Sequence, residues 1–318
     1  MDKLKNSKSL DQEGPIRLPY FDWDKAKYFY YVAKLGSFSE TGKFLNLSQP
    51  SLSRKISILE DHLKCKLFTR TPKGLELTRK GMELFVIVEE TFLSLKGFSY
   101  NSAVSTTNNQ KRKIRIATTH ALASYVFCDL ILDYNKSHPG LIFELIGEDH
   151  ALDILLNDVD IAIRPYNPTV HGMQQEPLFT LEKKLYASSE YLEKYGEPQT
   201  VEDLKQHCII AFGHPETHPY ADINWILRLG MPEGKLHEPV FTSNSVECMI
   251  DAAKKGVGIV GSYQQMNLIK ISNLKNILPD IKDKKVKWYF IYPDYLKKDK
   301  EIIELKKYLN EILFEENI

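Results

Sequence analysis

The stretch NLSQPSLSRKISILEDHL, residues 46–63, has the period of a helix but a lopsided composition. Leu52, Ile56, Leu59 and Leu63 recur at i, i+4, i+7 and i+11, one apolar stripe of a 3.6-residue repeat. At about 100° per residue, Pro50, Arg54, Ser57 and Asp61 point away from that stripe, with Gln49, Ser53 and Lys55 on its flanks. The stripe ties the helix to its own domain. The remaining surface must face either water or a polar, negative partner.

The flanking sequence decides between these. Trp23 to Leu35 carries Phe29, Val32 and Ala33 at helical spacing. Gly36-Ser37 then reads as a helix end followed by the N-cap of a short helix over residues 38–46. Ser48 caps the next helix, which opens with Gln49 and Pro50, and proline suits a first turn. Two short helices joined by a tight turn describe a helix-turn-helix, the second helix sized for the major groove of DNA. There Gln and Arg can pair with purine edges, while Ser can reach bases or phosphates. Ser48 and Ser51 lie at the electropositive end of that helix. Beyond it, Lys66–Arg70 and Leu75–Leu77 alternate as two strands around Thr71-Pro72-Lys73-Gly74, a wing with Arg70 and Lys73 placed for the DNA backbone or minor groove. The expected DNA-binding residues are therefore Ser37, Ser48, Gln49, Pro50, Ser51, Ser53, Arg54, Lys55, Arg70 and Lys73.

Charge supports this assignment once it is counted by region. The 318 residues carry no net charge. Residues 21–80, however, hold 12 Lys/Arg against 6 Asp/Glu, whereas residues 81–318 hold 26 against 33. A basic block at +6 ahead of a body at −7 points to a polyanionic partner for one domain only.

The stretch GSFSETGKFLNLSQPSLSRKISILEDHLKCKLFTRTPKGLELTRKG resembles the LysR-type transcriptional regulators, matching their gSfs, sQpavSrqI, LE, LF.R and LT.aG pattern without a gap from about Trp23 to Gly81. Two positions depart from the pattern. Thr41-Gly42 replaces the usual Ala-Ala, and Lys64 stands where a glycine usually follows the recognition helix. A glycine within a helix costs roughly 1 kcal/mol against alanine, and a lysine in a left-handed C-cap would be mildly strained. Neither change removes a DNA-facing residue.

Thr78 is placed to cap a helix from Arg79 to about Tyr100. Leu84, Val88, Thr91, Leu95 and Phe98 give it a 4-3-4-3 seam, while Phe85, Val86, Ile87, Phe92 and Leu93 make other faces apolar. We read it as a dimerisation helix, as the resemblance also implies, presenting two recognition helices to a pseudo-palindromic site. A small polar hinge, NSAVSTTNNQK, follows.

From Lys113 the pattern becomes α/β. IRIAT, LIFELIG and VDIAIRP alternate with helices, which predicts a parallel sheet. KKLYASS, HCIIAF, PVFT and GVGIVGS repeat the theme, and KWYFIYP with the helix from Lys300 returns to the first subdomain. The resemblance implies a two-lobed, periplasmic-binding-protein-like effector domain, through HPGLIFELI, DIAI, EPQTVEDLKQHCII and SVECMIDAAKKGVGIV. The segments around DIAIR, Trp225 and FTSNSVECMIDAAKKGVGI are most similar to the glycine-cleavage-activator and beta-lactamase-activator branch. The expected fold is α+β and multidomain. It comprises a leader (1–20), a winged helix-turn-helix (21–80), a linker helix with hinge (81–112) and an effector domain (113–318). Lobe I of that domain takes about 113–165 and 270–318, and lobe II about 166–269.

Ligands of such folds bind at strand C-termini near helix N-termini. Thr118, Thr119 and His120 follow one strand, Ser243, Asn244 and Ser245 follow another, and Arg164 ends DIAIR. With Tyr166, and more weakly Gly147, these are the candidate effector-binding residues, and they suit a small anion.

No GxSxG, HExxH, Walker or dinucleotide motif is present, so neither an enzyme nor a cofactor is expected. Cys65, Cys128, Cys208 and Cys248 form no CxxC pair, which excludes a zinc site of that kind and fits a reducing compartment. Cys208 and Cys248 are expected to be buried thiols. No apolar run reaches the ~18 residues of a membrane span, so a cytoplasmic protein is expected. Its partners would be double-stranded DNA, a small effector, further copies of itself as dimer or tetramer, and RNA polymerase. The alternative is a small-molecule-binding module whose DNA-binding domain is vestigial.

Overall fold

Ser and Gly punctuation places the N-terminal helices where the sequence predicts them. The structure, a computed structural model, describes residues 21–71, 74–106, 111–149, 158–165, 172–213, 222–264, 266–281 and 285–315. The chain forms two compact units, residues 1–92 and 93–318.

In the first unit, α1 (Trp23–Leu35) ends at Gly36 in the left-handed region, and Ser37 caps α2 (Phe38–Leu45) by accepting from the Glu40 N–H. Asn46 takes the left-handed turn, and Ser48 caps α3 (Gln49–Leu63). Strands β1 (Phe68–Thr71) and β2 (Gly74–Leu77) pair antiparallel, with Phe68 opposite Leu77 and Thr71 opposite Gly74. Phe29, Val32, Leu52, Ile56, Leu59 and Leu67 form the core. The apolar stripe of α3 is shorter than its spacing suggests: Leu63 is exposed, and Glu60 takes the last buried place. Helix α4 (Arg79–Thr106) starts under Thr78, whose Oγ1 accepts from the Gly81 N–H at 2.9 Å.

The second unit is α/β. Its strands are β3 (Arg112–Thr118), β4 (Leu141–Gly147), β5 (Ile161–Arg164), β6 (Met173–Ala187), β7 (Ile209–Phe212), β8 (Phe241–Ser243), β9 (Ile259–Tyr263), β10 (Lys275–Ile277) and β11 (Lys285–Pro293). Its helices are α5 (His120–Leu122), a π-helical stretch Ala123–Phe127, α6 (Cys128–Ser137), α7 (Ser189–Tyr195), α8 (Val246–Lys254), α9 (Asn267–Lys270) and α10 (Lys300–Glu315). The strand order is β4-β3-β5-β11-β6-β9-β7-β8, with β10 also on β6. Strand β3 runs parallel to β4 and β5, and β7 runs parallel to β8 and β9. The antiparallel pair β6 and β11 crosses between these two parallel groups.

Two details differ from the sequence reading. Strand β6 begins at Met173, well before KKLYASS. Strand β10 pairs with the far half of β6, opposite Leu185 to Ala187, so the chain returns to the first group only at β11.

Candidate nucleic-acid interface and effector cleft

The exposed end of α3 is built by its cap and its stripe. Leu52, Ile56 and Leu59 are buried, which turns Gln49, Pro50 and Arg54 outward and leaves Ser51 and Ser53 half-covered. Ser48 Oγ accepts from the Ser51 N–H at 3.4 Å, and Pro50 has no N–H. The first turn therefore offers fewer backbone donors to a phosphate than an uncapped helix would. Ser37 is engaged in the same way at the start of α2. Arg54 and Arg70 enter no ion pair among the described residues, whereas Lys25, Lys43, Lys66 and Lys80 each pair with a carboxylate. Lys55 is half-buried, with its Nζ 4.7 Å from the centre of the Tyr28 ring. A neighbouring aromatic face thus positions it, and it does not swing freely on the helix flank. Arg70 is exposed on β1 opposite Leu75. Lys73 lies outside the described residues.

Glu60 is a functional support that the sequence reading missed. Its side chain is 8% exposed. It accepts from the Leu67 N–H at 2.8 Å and the Phe68 N–H at 3.4 Å, and it pairs with Lys66 Nζ at 2.6 Å. The carboxylate thereby satisfies backbone donors where the chain enters the wing. A glutamate one residue past the apolar stripe was the available signal.

In the second unit, the ends of β3 and β8 meet at a cleft of about 310 Å³. His120, Ser124, Tyr125 and Asp149 line one side, and Asn244, Ser245 and Glu247 line the other. Of the candidate residues, the structure brings together His120, Asn244 and Ser245. Thr119 caps α5 by accepting from the Leu122 N–H, and Ser243 Oγ accepts from the Ser245 N–H at 3.0 Å. Thr118 is fully buried. Arg164 is 6% exposed, and its Nη1 donates to the Glu148 carbonyl at 2.6 Å. It is not among the described residues that line the cleft. Gly147 matters by being small: a Cβ there would come within 2.7 Å of His120 Nδ1. Tyr166 lies outside the described residues.

Asp149, Tyr125 and Glu247 were not read from the sequence. Asp149 Oδ1 accepts from the His120 N–H at 3.0 Å, fixing the turn into α5. Burial, together with the nearby Glu247 carboxylate, raises the Tyr125 phenol above its ordinary range.

Cys248 is exposed on α8 and is not a buried thiol, because it falls on the outer face of the first turn; Cys208 is half-buried. Among the described residues, no group of His, Cys, Asp or Glu is spaced to hold a metal, and no helix is long and apolar enough to cross a membrane.

A winged helix-turn-helix followed by a two-part α/β domain with a ligand-sized cleft defines a DNA-binding regulator that senses a small molecule. The comparisons give the family. Residues 23–82 match the bacterial regulatory helix-turn-helix protein, lysR family, and residues 107–293 match the LysR substrate binding domain. The chain belongs to the LysR family of transcriptional regulators, whose members are regulators and not enzymes.

It is similar to an uncharacterized HTH-type transcriptional regulator, YhjC, of Escherichia coli, with 28% identity over 83% of this chain and 89% of the relative. It is also similar to the HTH-type regulator CrgA of Neisseria meningitidis, at 25% identity over 73% and 76%. The structure of CrgA superposes with a TM-score of 0.52, at 22% identity, over 92% of this chain and 99% of CrgA. A full-length OxyR variant from Pseudomonas aeruginosa gives 0.58, at 14% identity, over 91% and 95%. These likenesses extend the fold assignment to both units. None of these relatives is named for glycine cleavage or beta-lactamase.

Proposed function

We propose that Gln49, Ser53 and Arg54 read base edges in the major groove, with Pro50 and Lys55 packed beside them. In this reading Ser37, Ser48, Ser51, Arg70 and Lys73 hold the phosphate backbone, and the cleft of the second unit binds the effector through His120, Asn244 and Ser245. The observation that carries it is an outward Gln49–Arg54 face on a helix whose other face is locked into the core. Two copies, joined through α4, would place two such helices on an interrupted palindrome. Effector occupancy would change the spacing or bending of those sites. We further propose that the protein works in the cytoplasm and contacts RNA polymerase at its promoters.

The vestigial-domain alternative gains no support from a helix face with an exposed Arg54 that enters no ion pair among the described residues. The decisive measurement is DNA binding by full-length protein across a salt series on a mapped operator. Affinity is expected to fall steeply with salt. Arg54→Ala should weaken the specific site by about 1–3 kcal/mol and leave random DNA little changed. Equal losses on both would reassign Arg54 to a phosphate. A salt-independent affinity would remove the DNA reading altogether.

A further inference from the structure

The sign of the cleft is opposite to what the sequence suggests. Asp149 projects from the end of β4 and Glu247 from the first turn of α8, so each side of the 310 Å³ cleft contributes one carboxylate. Among the described lining residues there is no lysine or arginine. The nearby guanidinium, Arg164, is turned to the Glu148 carbonyl.

The helix end does not reverse this balance. The N-terminal dipole of α8 is faced by Glu247 in its own first turn, and the Cys248 N–H is taken by Ser245 Oγ at 3.3 Å. The Asp149 carboxylate keeps an oxygen beyond the one bonded to the His120 N–H. An anionic ligand would enter against two carboxylates, with His120 as the one basic side chain among the described lining residues. A ligand rich in N–H donors would meet acceptors on both sides, with Asn244 and Ser245 as further partners.

We propose that the effector of this protein is a small organic cation, a protonated amine bridged between Asp149 and Glu247. This rests on the reading of the cleft as the effector site. A bare metal ion fits less well, because no group of three His, Cys, Asp or Glu among the described residues is spaced to coordinate one. A cleft of about 310 Å³ is at the small end of ligand sites and suits a compact molecule. Asp149 and Glu247 stand on opposite sides of the cleft, so a ligand bridging them would tie the two sides together, a route by which occupancy could alter their relation.

Two measurements on the full-length protein test this. The first reads the cleft's charge without any effector: Asn244→Cys in a Cys248→Ser background is reacted with cationic and anionic methanethiosulfonates of similar size. The cationic reagent should gain at least tenfold over its advantage on a free thiol, and Glu247→Gln with Asp149→Asn should erase that gain. The second follows thermal unfolding with 1,5-diaminopentane or glutarate at matched ionic strength. The diamine should raise the midpoint, and Glu247→Gln should abolish the rise.

A midpoint raised by glutarate, and lost in Asn244→Ala, would sink the cation assignment while keeping the cleft as the effector site. Equal thiol reactivity with both reagents, and no midpoint change with either probe, would overturn both the cation assignment and the cleft reading.

Discussion

Lys64 follows α3 with φ 54 and ψ 30, the left-handed cap that glycine fills without strain. The departure noticed in the sequence is therefore a real one, because the chain keeps the backbone turn and accepts a side chain on it. Lys64→Gly should stabilise the DNA-binding unit by up to about 1 kcal/mol, the strain relieved being partly offset by a more flexible unfolded chain. Gly81 is the converse case. A Cβ there would stand 2.1 Å from the Leu67 carbonyl oxygen, so Gly81→Ala should cost about 3 kcal/mol even though alanine is the better helix former. Urea unfolding of the two variants, followed by circular dichroism, checks both, and a stabilised Gly81→Ala would refute the contact. Gly42 is not merely a weak helix residue either, since its Cβ would meet the Leu47 carbonyl at 2.7 Å. The caps at Ser37, Ser48 and Thr78 were legible because the side chain and the donor it serves are three residues apart. The close approaches at Gly42 and Gly81 were not, because local sequence does not say which backbone will pass beside a residue.

Helix α4 divides its apolar residues between two tasks that a single seam could not predict. Val88 is buried within the first unit, Phe85 stacks on Tyr30 at 5.6 Å, and Phe92 meets the same ring edge-on at 5.0 Å. Lys34 pairs with Glu89 at 2.6 Å beside them. Met82, Val86, Ile87, Leu95 and Phe98 remain exposed. Of the expected seam, Val88 serves the domain's own core, whereas Leu95 is exposed and open for another copy. Exposed apolar surface of this extent on one helix is costly unless it is covered. Ile87→Lys with Leu95→Lys should therefore shift the protein toward monomer in sedimentation velocity while leaving unfolding of the isolated chain nearly unchanged. A dimer of undiminished affinity would place self-association elsewhere. Strand β6 shows the same limit on reading elements. Its first half, MQQEPLFTLE, is polar and holds Pro177, and proline in a strand usually argues against one. The register with β11 shifts between Trp288 and Tyr289, so Pro177 sits opposite Tyr289 just beyond an irregularity that accommodates it. Pairing with β11, which is more than 100 residues away in sequence, makes the strand.

Across the whole chain, the second unit is closed by contacts between its most distant parts. Arg112, where β3 begins, donates to Asp299 at 2.8 Å and also binds Glu301, both at the start of α10. Tyr100, near the end of α4, donates to the same Asp299 carboxylate, and its ring lies 5.2 Å from the Arg112 guanidinium. One carboxylate thus gathers the linker helix, the first strand and the last helix of the effector unit. Burial alone would raise the Asp299 pKa, but the hydrogen bonds from Arg112, Tyr100 and the Ile302 N–H outweigh it and hold the carboxyl below its ordinary range. The sign follows from linkage. A group whose folded pKa is depressed contributes stability that is fully present above its unfolded value near ~4 and is lost as pH falls through the folded value. Asp299→Asn should therefore lower the stability of the effector unit at pH 7 by roughly 2–3 kcal/mol, since it leaves Arg112 partly unpaired. The difference between the variant and the parent should shrink as the pH falls below about 4 and on through the lower folded value. Each unit has its own core, so a pH series of urea melts should show the loss in one transition only, with the DNA-binding transition unmoved. A loss that did not shrink at all as the pH fell below about 4 would mean that Asp299 acts through packing and not through its charge.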